Sequence, residues 1–296
     1  MVPMSNASTP QTKLFASPIM SLYRPLPLCC LVVACLFSTF LCAPLPVAHG
    51  QYNEELLKKI NATFGDPPGM KKLDESSRVW VDKKNKRVVV DGYIALQAGQ
   101  LEMFACLAGT KEHESVVAVF SKAFVVHAGL LAVGAKTGTP VQWDPEYKAP
   151  TGSEIQIHAL WKDEKGEKKT IDAKKWVRKV GTKGTLEENF VFAGSKMWKD
   201  PDTGKEHYQA ESGDFICVSN FSTATLDVPL KSSDVNSGLM FAAYEERIPE
   251  RGTPVRLVLQ VVDPKKKKEG DDKQAEEKTS ELKLPDLPGL EAEEKP

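Results

Sequence analysis

The sequence predicts an α+β fold, mostly antiparallel strands around one buried central helix, forming a single domain over residues 78–262. Three observations carry this. Short runs of β-branched and aromatic residues alternate with polar turns through most of that span. One stretch, residues 122–133, is apolar nearly all round, which suits a buried helix. No repeat and no long polar linker interrupts the pattern, so one core serves the whole span.

Taken in order, residues 54–64 place Leu56, Leu57, Ile60 and Phe64 at helical spacing, and Gly65, Pro67, Pro68 and Gly69 stop the helix. This reads as a linker, residues 51–77, whose one helix packs loosely if at all. From Arg78 the period changes to that of strands. Val79, Trp80 and Val81, a turn of Lys83, Lys84, Asn85 and Lys86, and then Val88, Val89 and Val90 predict a hairpin. Residues 93–96 and 101–106 continue as strands. Residues 114–120 are apolar on both faces past Ser115, as in a central strand. Ser121 is positioned as the N-cap of the apolar helix, and Gly134 and Gly138 supply its stop and turn.

Residues 154–161 alternate, with Ile155, Ile157, Ala159 and Trp161 on one face and Gln156, His158 and Leu160 on the other. Residues 163–166 turn the chain back through Thr170 and Ile171, and residues 172–180 suggest a short helix bearing Trp176. Phe190, Val191 and Phe192 run into Ala193, Gly194 and Ser195. Asp200 to Gly204 is a turn between two strands, and residues 215–221 and 255–262 are the last strands.

The ends differ in kind. Residues 28–43 are an unbroken run of apolar and small residues after Arg24, followed by Pro44, Pro46 and a small-x-small site at Ala48, His49 and Gly50. Together these predict a secretory signal peptide cleaved before Gln51, within an N-terminal extension of residues 1–50. An uncleaved anchor is the competing reading, and a lipidated Cys35 a weaker one. Residues before Met20 are too polar and too long for a signal peptide's start, which points to Met20 as the true first residue. Four cysteines (Cys29, Cys30, Cys35, Cys42) fall in this segment, leaving Cys106 and Cys217, which read as two separate buried thiols rather than a disulfide. Residues 263–296, rich in Lys, Glu, Asp and Pro, cannot bury enough apolar surface to fold and predict a disordered charged tail, with Leu282, Leu284, Leu287 and Leu290 as a possible docking motif. The formal net charge of −1 gives no global reason to expect nucleic acid or an anionic membrane as partner.

No motif for catalysis, metal or nucleotide is complete. His113 and Glu114 begin a zinc-protease pattern, but the second histidine's place holds Val117. Gly129 to Gly134 with Lys136 and Thr137 imitates a phosphate loop, but Leu130 to Val133 suit a helix interior. Ser195 follows Gly194, but Met197 replaces the second glycine of a nucleophile elbow. The remaining polar cluster is Lys111, Glu112, His113, Glu114 and Ser115. If extended, it sets Lys111, His113 and Ser115 on one face, with Cys106 or Ser195 as a nucleophile for His113 and Lys111 as an oxyanion partner. Alternatively His113 and Glu114 with His127 or His207 could hold a divalent metal, although His127 sits in the apolar helix and suits a satisfied core histidine. The remaining reading is a solvated entry to a buried strand.

Three segments together resemble the YdjY-like family of exported bacterial proteins of unassigned function, in its planctomycete-type form. They are the cluster Lys111 to Ser115, the helix from Val126 and His127 to Gly134 followed by Gly138, Pro140 and Val141, and the strand end from Phe190 to Gly194 and Ser195. The resemblance spans residues 78–262 and implies no reaction. Some relatives are similar to proteins associated with ferredoxin-type modules, but two cysteines cannot supply a four-cysteine cluster. The expectation is therefore an exported envelope protein acting as a non-catalytic binding or interaction module, with an envelope protein as partner and membrane contact only through an uncleaved N-terminal segment. A hydrolase using His113 with Cys106 or Ser195, and a divalent-metal protein centred on His113, are the alternatives, and no cofactor follows from the sequence.

Overall fold

The computed structural model describes residues 48–232 and 238–263, with side chains from Glu54 onward. The expected signal segment up to residue 47, with its four cysteines and the expected start at Met20, and the expected charged tail past Asp263 lie outside the described residues. In chain order the elements are helix α1 (Ala48–Thr63), strands β1 (Lys71–Lys72), β2 (Val79–Asp82), β3 (Arg87–Ile94), β4 (Met103–Leu107) and β5 (Ser115–Val119), and helix α2 (Ala123–Ala132). Strands β6 (Glu154–Lys162), β7 (Lys168–Asp172), β8 (Val177–Lys179), β9 (Phe190–Val191), β10 (Met197–Lys199), β11 (Glu206–Tyr208), β12 (Ile216–Cys217), β13 (Phe241–Ala243) and β14 (Pro254–Val261) follow.

The main sheet has the order β12-β4-β5-β3-β14-β6-β7, with β2 branching from β3 and β9 from β6. Every pairing is antiparallel except β4 with β5. Parallel neighbours are normally joined by a dozen residues or more. Here residues 108–114 suffice, so that connection is drawn tight. Pairs β10-β11 and β13-β8 form two separate ribbons.

One face of the sheet carries the principal core, in which Phe104, Trp176, Phe190, Leu257 and Leu259 are buried. On the other face α1 buries Leu56, Ile60 and Phe64 against Tyr93, Ala95, Cys106 and Ala118. The segment expected to pack loosely is therefore part of the packed structure. Its end is held ionically. Asp91 on β3 faces Arg256 on β14 in register and takes bonds from it at 2.6 and 3.0 Å, and from Arg78 at 2.9 and 2.6 Å. The two guanidiniums also donate to the Phe64 and Gly65 carbonyls, where α1 ends.

The structure corrects four local expectations. Helix α2 is not buried all round: Ala123, Val126, Gly129 and Leu130 face inward, while Phe124 and Leu131 are 54% and 48% exposed. Gly129 lets it settle against Leu73 and Val88, and only that face is covered. Ser121 does not cap it, since its hydroxyl donates to the Lys122 carbonyl; Glu211 accepts from the Phe124 N–H instead. Residues 172–180 form a short 3-10 helix, Ala173–Trp176, capped by Asp172, and then strand β8. Within residues 215–221, Ile216 and Cys217 alone are strand.

Cys106 and Cys217 are both free and buried. They lie on neighbouring strands, but the register slips between Ile216, opposite Ala105, and Cys217, opposite Met103. Cys217 packs with Met103 and Ala224, whereas Cys106 packs with Tyr93, Ala118 and helix α1, so the two thiols sit in separate clusters.

Candidate functional site

The tight β4–β5 connection decides what the Lys111 cluster does. Glu112, His113 and Glu114 form a 3-10 helix, not an extended run, so the expected alternation of faces is lost. Glu112 accepts from the Tyr93 hydroxyl and the Gly109 N–H, both at 2.7 Å. Ser115 is buried and donates to the Lys111 carbonyl. Lys111 pairs with Asp214 at 2.9 Å and lies over the Phe221 ring. Burial works against its charge, yet Asp214 holds its pKa above the usual lysine value. A lysine so held is neither a base nor a free oxyanion partner.

His113, with its side chain 78% exposed, approaches only Glu114, at 3.7 Å, and no hydrogen bond joins it to Cys106 or Ser195 among the described residues. Burial pushes the Cys106 thiol up to about 11, against hydrogen bonds to Ser115 and Thr110 that favour the thiolate. Because the fold holds this group neutral, its contribution to stability is intact below the unfolded thiol's pKa near 9 and is lost as pH rises toward 11. Urea titrations between pH 8 and 11 should therefore show a fall of roughly 2–3 kcal/mol from this group. That part of the slope should be missing in Cys106→Ala, and an unchanged slope there would refute the assignment.

The structure instead gathers two of the predicted residues, His127 and Ser195, around a residue the sequence did not single out, Tyr208. Its hydroxyl lies 2.8 Å from His127 Nδ1, 3.1 Å from the Gly194 carbonyl and 3.1 Å from Thr225 Oγ1. A phenol has one proton and a carbonyl only accepts. All three contacts are satisfied when Tyr208 donates to Gly194 and accepts from His127 Nδ1–H and Thr225. This assigns the tautomer and leaves Nε2 of His127 as a lone-pair acceptor with no hydrogen-bond partner among the described residues. Burial disfavours the charged imidazolium and holds the His127 pKa below the usual histidine value, and burial raises Tyr208 to about 12. His127 also packs edge-on to Phe192, 4.9 Å between centroids.

Ser195 has a positive φ of 56°, and its hydroxyl donates to the Thr223 carbonyl at 2.6 Å. Thr223 in turn donates to Asp214, the partner of Lys111. Residues 208–225 thus link the Lys111 cluster to the His127 pair. Three close backbone approaches set the other wall: Gly138 N–H bonds the Phe192 carbonyl, Gly152 lies against that carbonyl, and Gly194 lies against Thr137.

Around this polar centre the surface is apolar. Phe124 packs edge-on to Tyr208, and Met197 lies directly opposite Tyr208 across the β10–β11 ribbon. Trp198 is tilted over His207, 5.7 Å between centroids. Met197 and Trp198, 54% and 47% exposed, join Phe124 and Leu131 as large uncovered side chains. As for metal, His113, Glu114, His127 and His207 are not drawn together, and among the described residues no three His, Cys, Asp or Glu side chains converge. The geometry offers hydrogen-bond acceptance at one imidazole within an apolar ridge.

A family model, the YdjY domain, matches residues 79–260 of the chain. No curated protein and no solved structure matches it.

Proposed function

We propose, from the premise that this chain belongs to the YdjY family, that its domain is a non-catalytic binding module of the cell envelope that docks a partner protein on the ridge around Tyr208. The observation that carries this is the exposure of Phe124 and Met197, one packed edge-on to Tyr208 and the other opposite it across the ribbon, beside an immobilised His127–Tyr208 pair. Apolar side chains exposed singly need no explanation, but a group of them around fixed polar atoms has the composition of an interface centre. Nε2 of His127 would take an N–H or O–H from the partner and set its register. The groups that a hydrolase would use are engaged elsewhere: Ser195 on Thr223, Lys111 on Asp214, and Cys106 as a buried neutral thiol. Export rests on the signal-like segment of the sequence.

A photo-crosslinking residue placed at Phe124 or Met197 in the native host should trap one discrete envelope protein. The same residue at Val180, an exposed apolar position on another surface, should not. His127→Phe should weaken the adduct about tenfold, the worth of one hydrogen bond of about 1.4 kcal/mol. Equal labelling from Val180 would remove the ridge as the interface. A hydrolytic turnover abolished by Ser195→Ala or His113→Ala would overturn the non-catalytic reading.

A further inference from the structure

Two turns meet at one end of the main sheet. Strand β6 runs past Leu160, which faces Arg256 of β14, to Trp161 and Lys162, and the chain then turns through residues 163–166 into β7. Beside it, residues 249–253 turn into the start of β14. A groove of about 350 Å³ is lined by both turns and by Trp161, a size within the range of small-ligand clefts. Both walls are fixed. Asp163 Oδ1 accepts from the Lys165 and Glu167 N–H groups, and its other oxygen pairs with Lys169 at 3.2 Å. In the second turn the Thr253 N–H bonds the Glu250 carbonyl and the Gly252 N–H bonds that of Ile94. Trp161 is held from the core side, its ring 5.3 Å from that of Trp176, whose own indole N–H is given to the Arg247 carbonyl. A ligand here would meet surfaces already ordered, which lowers the entropic cost of binding.

The polar groups along these walls have no partner within the fold. Among the described residues, the side chains of Lys162, Glu164, Lys165 and Glu250 make no hydrogen bond or ion pair, and neither does the Thr253 hydroxyl. The indole N–H of Trp161 is likewise unbonded among the described residues and is open to solvent. Two lysines stand against two glutamates, with Asp163 already paired, so the groove exerts no net pull on an anion or a cation. An anion would satisfy the lysines and be repelled by the glutamates, and an ammonium would do the reverse. What the groove offers is an aromatic surface with Pro249 beside it, and around that surface both donors and acceptors. A pyranose ring is the chemical complement: it has an apolar C–H face, and its perimeter carries hydroxyls that each donate and accept.

We infer that this groove binds a neutral saccharide, with one sugar ring lying on Trp161 and its hydroxyls bonded to Lys162 on one wall and Glu250 on the other. The site is independent of the Tyr208 ridge. Full-length chain is titrated with maltotriose, cellotriose and chitotriose while the indole N–H resonances of its five tryptophans are followed by NMR, the Trp161 signal being the one missing from Trp161→Phe. The expected result is a saturable shift of that signal with at least one of the three sugars, weakened about tenfold or more in Lys162→Ala/Glu250→Ala. Both replaced side chains are exposed, and unchanged signals from the buried Trp80 and Trp176 verify that the variant keeps its fold. No shift of Trp161 with any of the three sugars would overturn the inference, as would a shift that the double variant leaves unchanged. A shift confined to Trp143 or Trp198, which are exposed elsewhere, would place the sugar outside this groove and overturn it too. So would an equal response to sodium phosphate or to free lysine, since that would mean that charge and not the ring is recognised.

Discussion

Asp91→Ala should destabilise the domain by about 3–5 kcal/mol, the usual cost of removing one member of a buried ion cluster. The reason is what it leaves behind. Arg256 is fully buried and Arg78 nearly so, and among the described residues Asp91 is the only carboxylate bonded to either. Without it two guanidiniums remain in a low-dielectric site, stacked on Trp80 and Phe64. They are also the donors that hold the Phe64 and Gly65 carbonyls, so the loss should spread to α1. Urea unfolding gives the magnitude, and hydrogen exchange should show faster exchange in residues 55–63 before global unfolding. Asp91→Asn, which keeps an acceptor but not the charge, should fall between wild type and alanine. A loss below about 1 kcal/mol for the alanine variant would mean that the arginines find water and that the cluster is not sealed.

Gly152→Ala should be nearly as damaging, about 3 kcal/mol or more. Its φ of +140° is one that side chains avoid, and a Cβ there would sit 2.2 Å from the Phe192 carbonyl oxygen. Two neighbouring glycines separate the causes. Gly138→Ala introduces a 2.3 Å clash with the Thr151 backbone at a φ outside the left-handed region, so its cost is steric alone. Gly134→Ala meets nothing within 4 Å at a φ of +92°, so its cost is conformational, about 1–2 kcal/mol. Urea midpoints ranked Gly152, then Gly138, then Gly134 would establish the backbone crossing that forms one wall of the Tyr208 site. Equal, small losses at all three would mean that residues 134–153 are not seated against Phe192.

What could be read from the sequence depended on whether the information was local. The hairpin of β2 and β3, the alternation along β6 and the turn from Asp200 to Gly204 all appear as expected, because each is set by neighbours within ten residues. Helix α2 was misjudged because a stretch apolar all round carries no sign of which side is covered; its exposed side shows only once Gly129 is seen against Val88. Asp91 and Arg256 occupy positions in apolar strands where a lone charge would be read as facing solvent, and their pairing spans 165 residues. The Tyr208 site was half legible. His127 and Ser195 stood out by residue type, but nothing local distinguishes Tyr208, Thr223 or Asp214 from ordinary loop residues. The Lys111 cluster stood out for the opposite reason: a crossover shorter than usual needs many polar groups to hold its backbone, and these imitate a site.

Strand β14 lies at the middle of the main sheet, between β3 and β6, yet it is the last element of the described chain. A ribosome releasing this protein from its N-terminus therefore delivers the keystone after every other strand of that sheet. Until residues 254–261 emerge, β3 and β6 have no common neighbour, and each presents an unpaired edge along most of its length. The nascent chain can form hairpins but cannot close the core until these residues are available. This makes residues 254–261, more than any segment before them, the step that commits the chain to its final form.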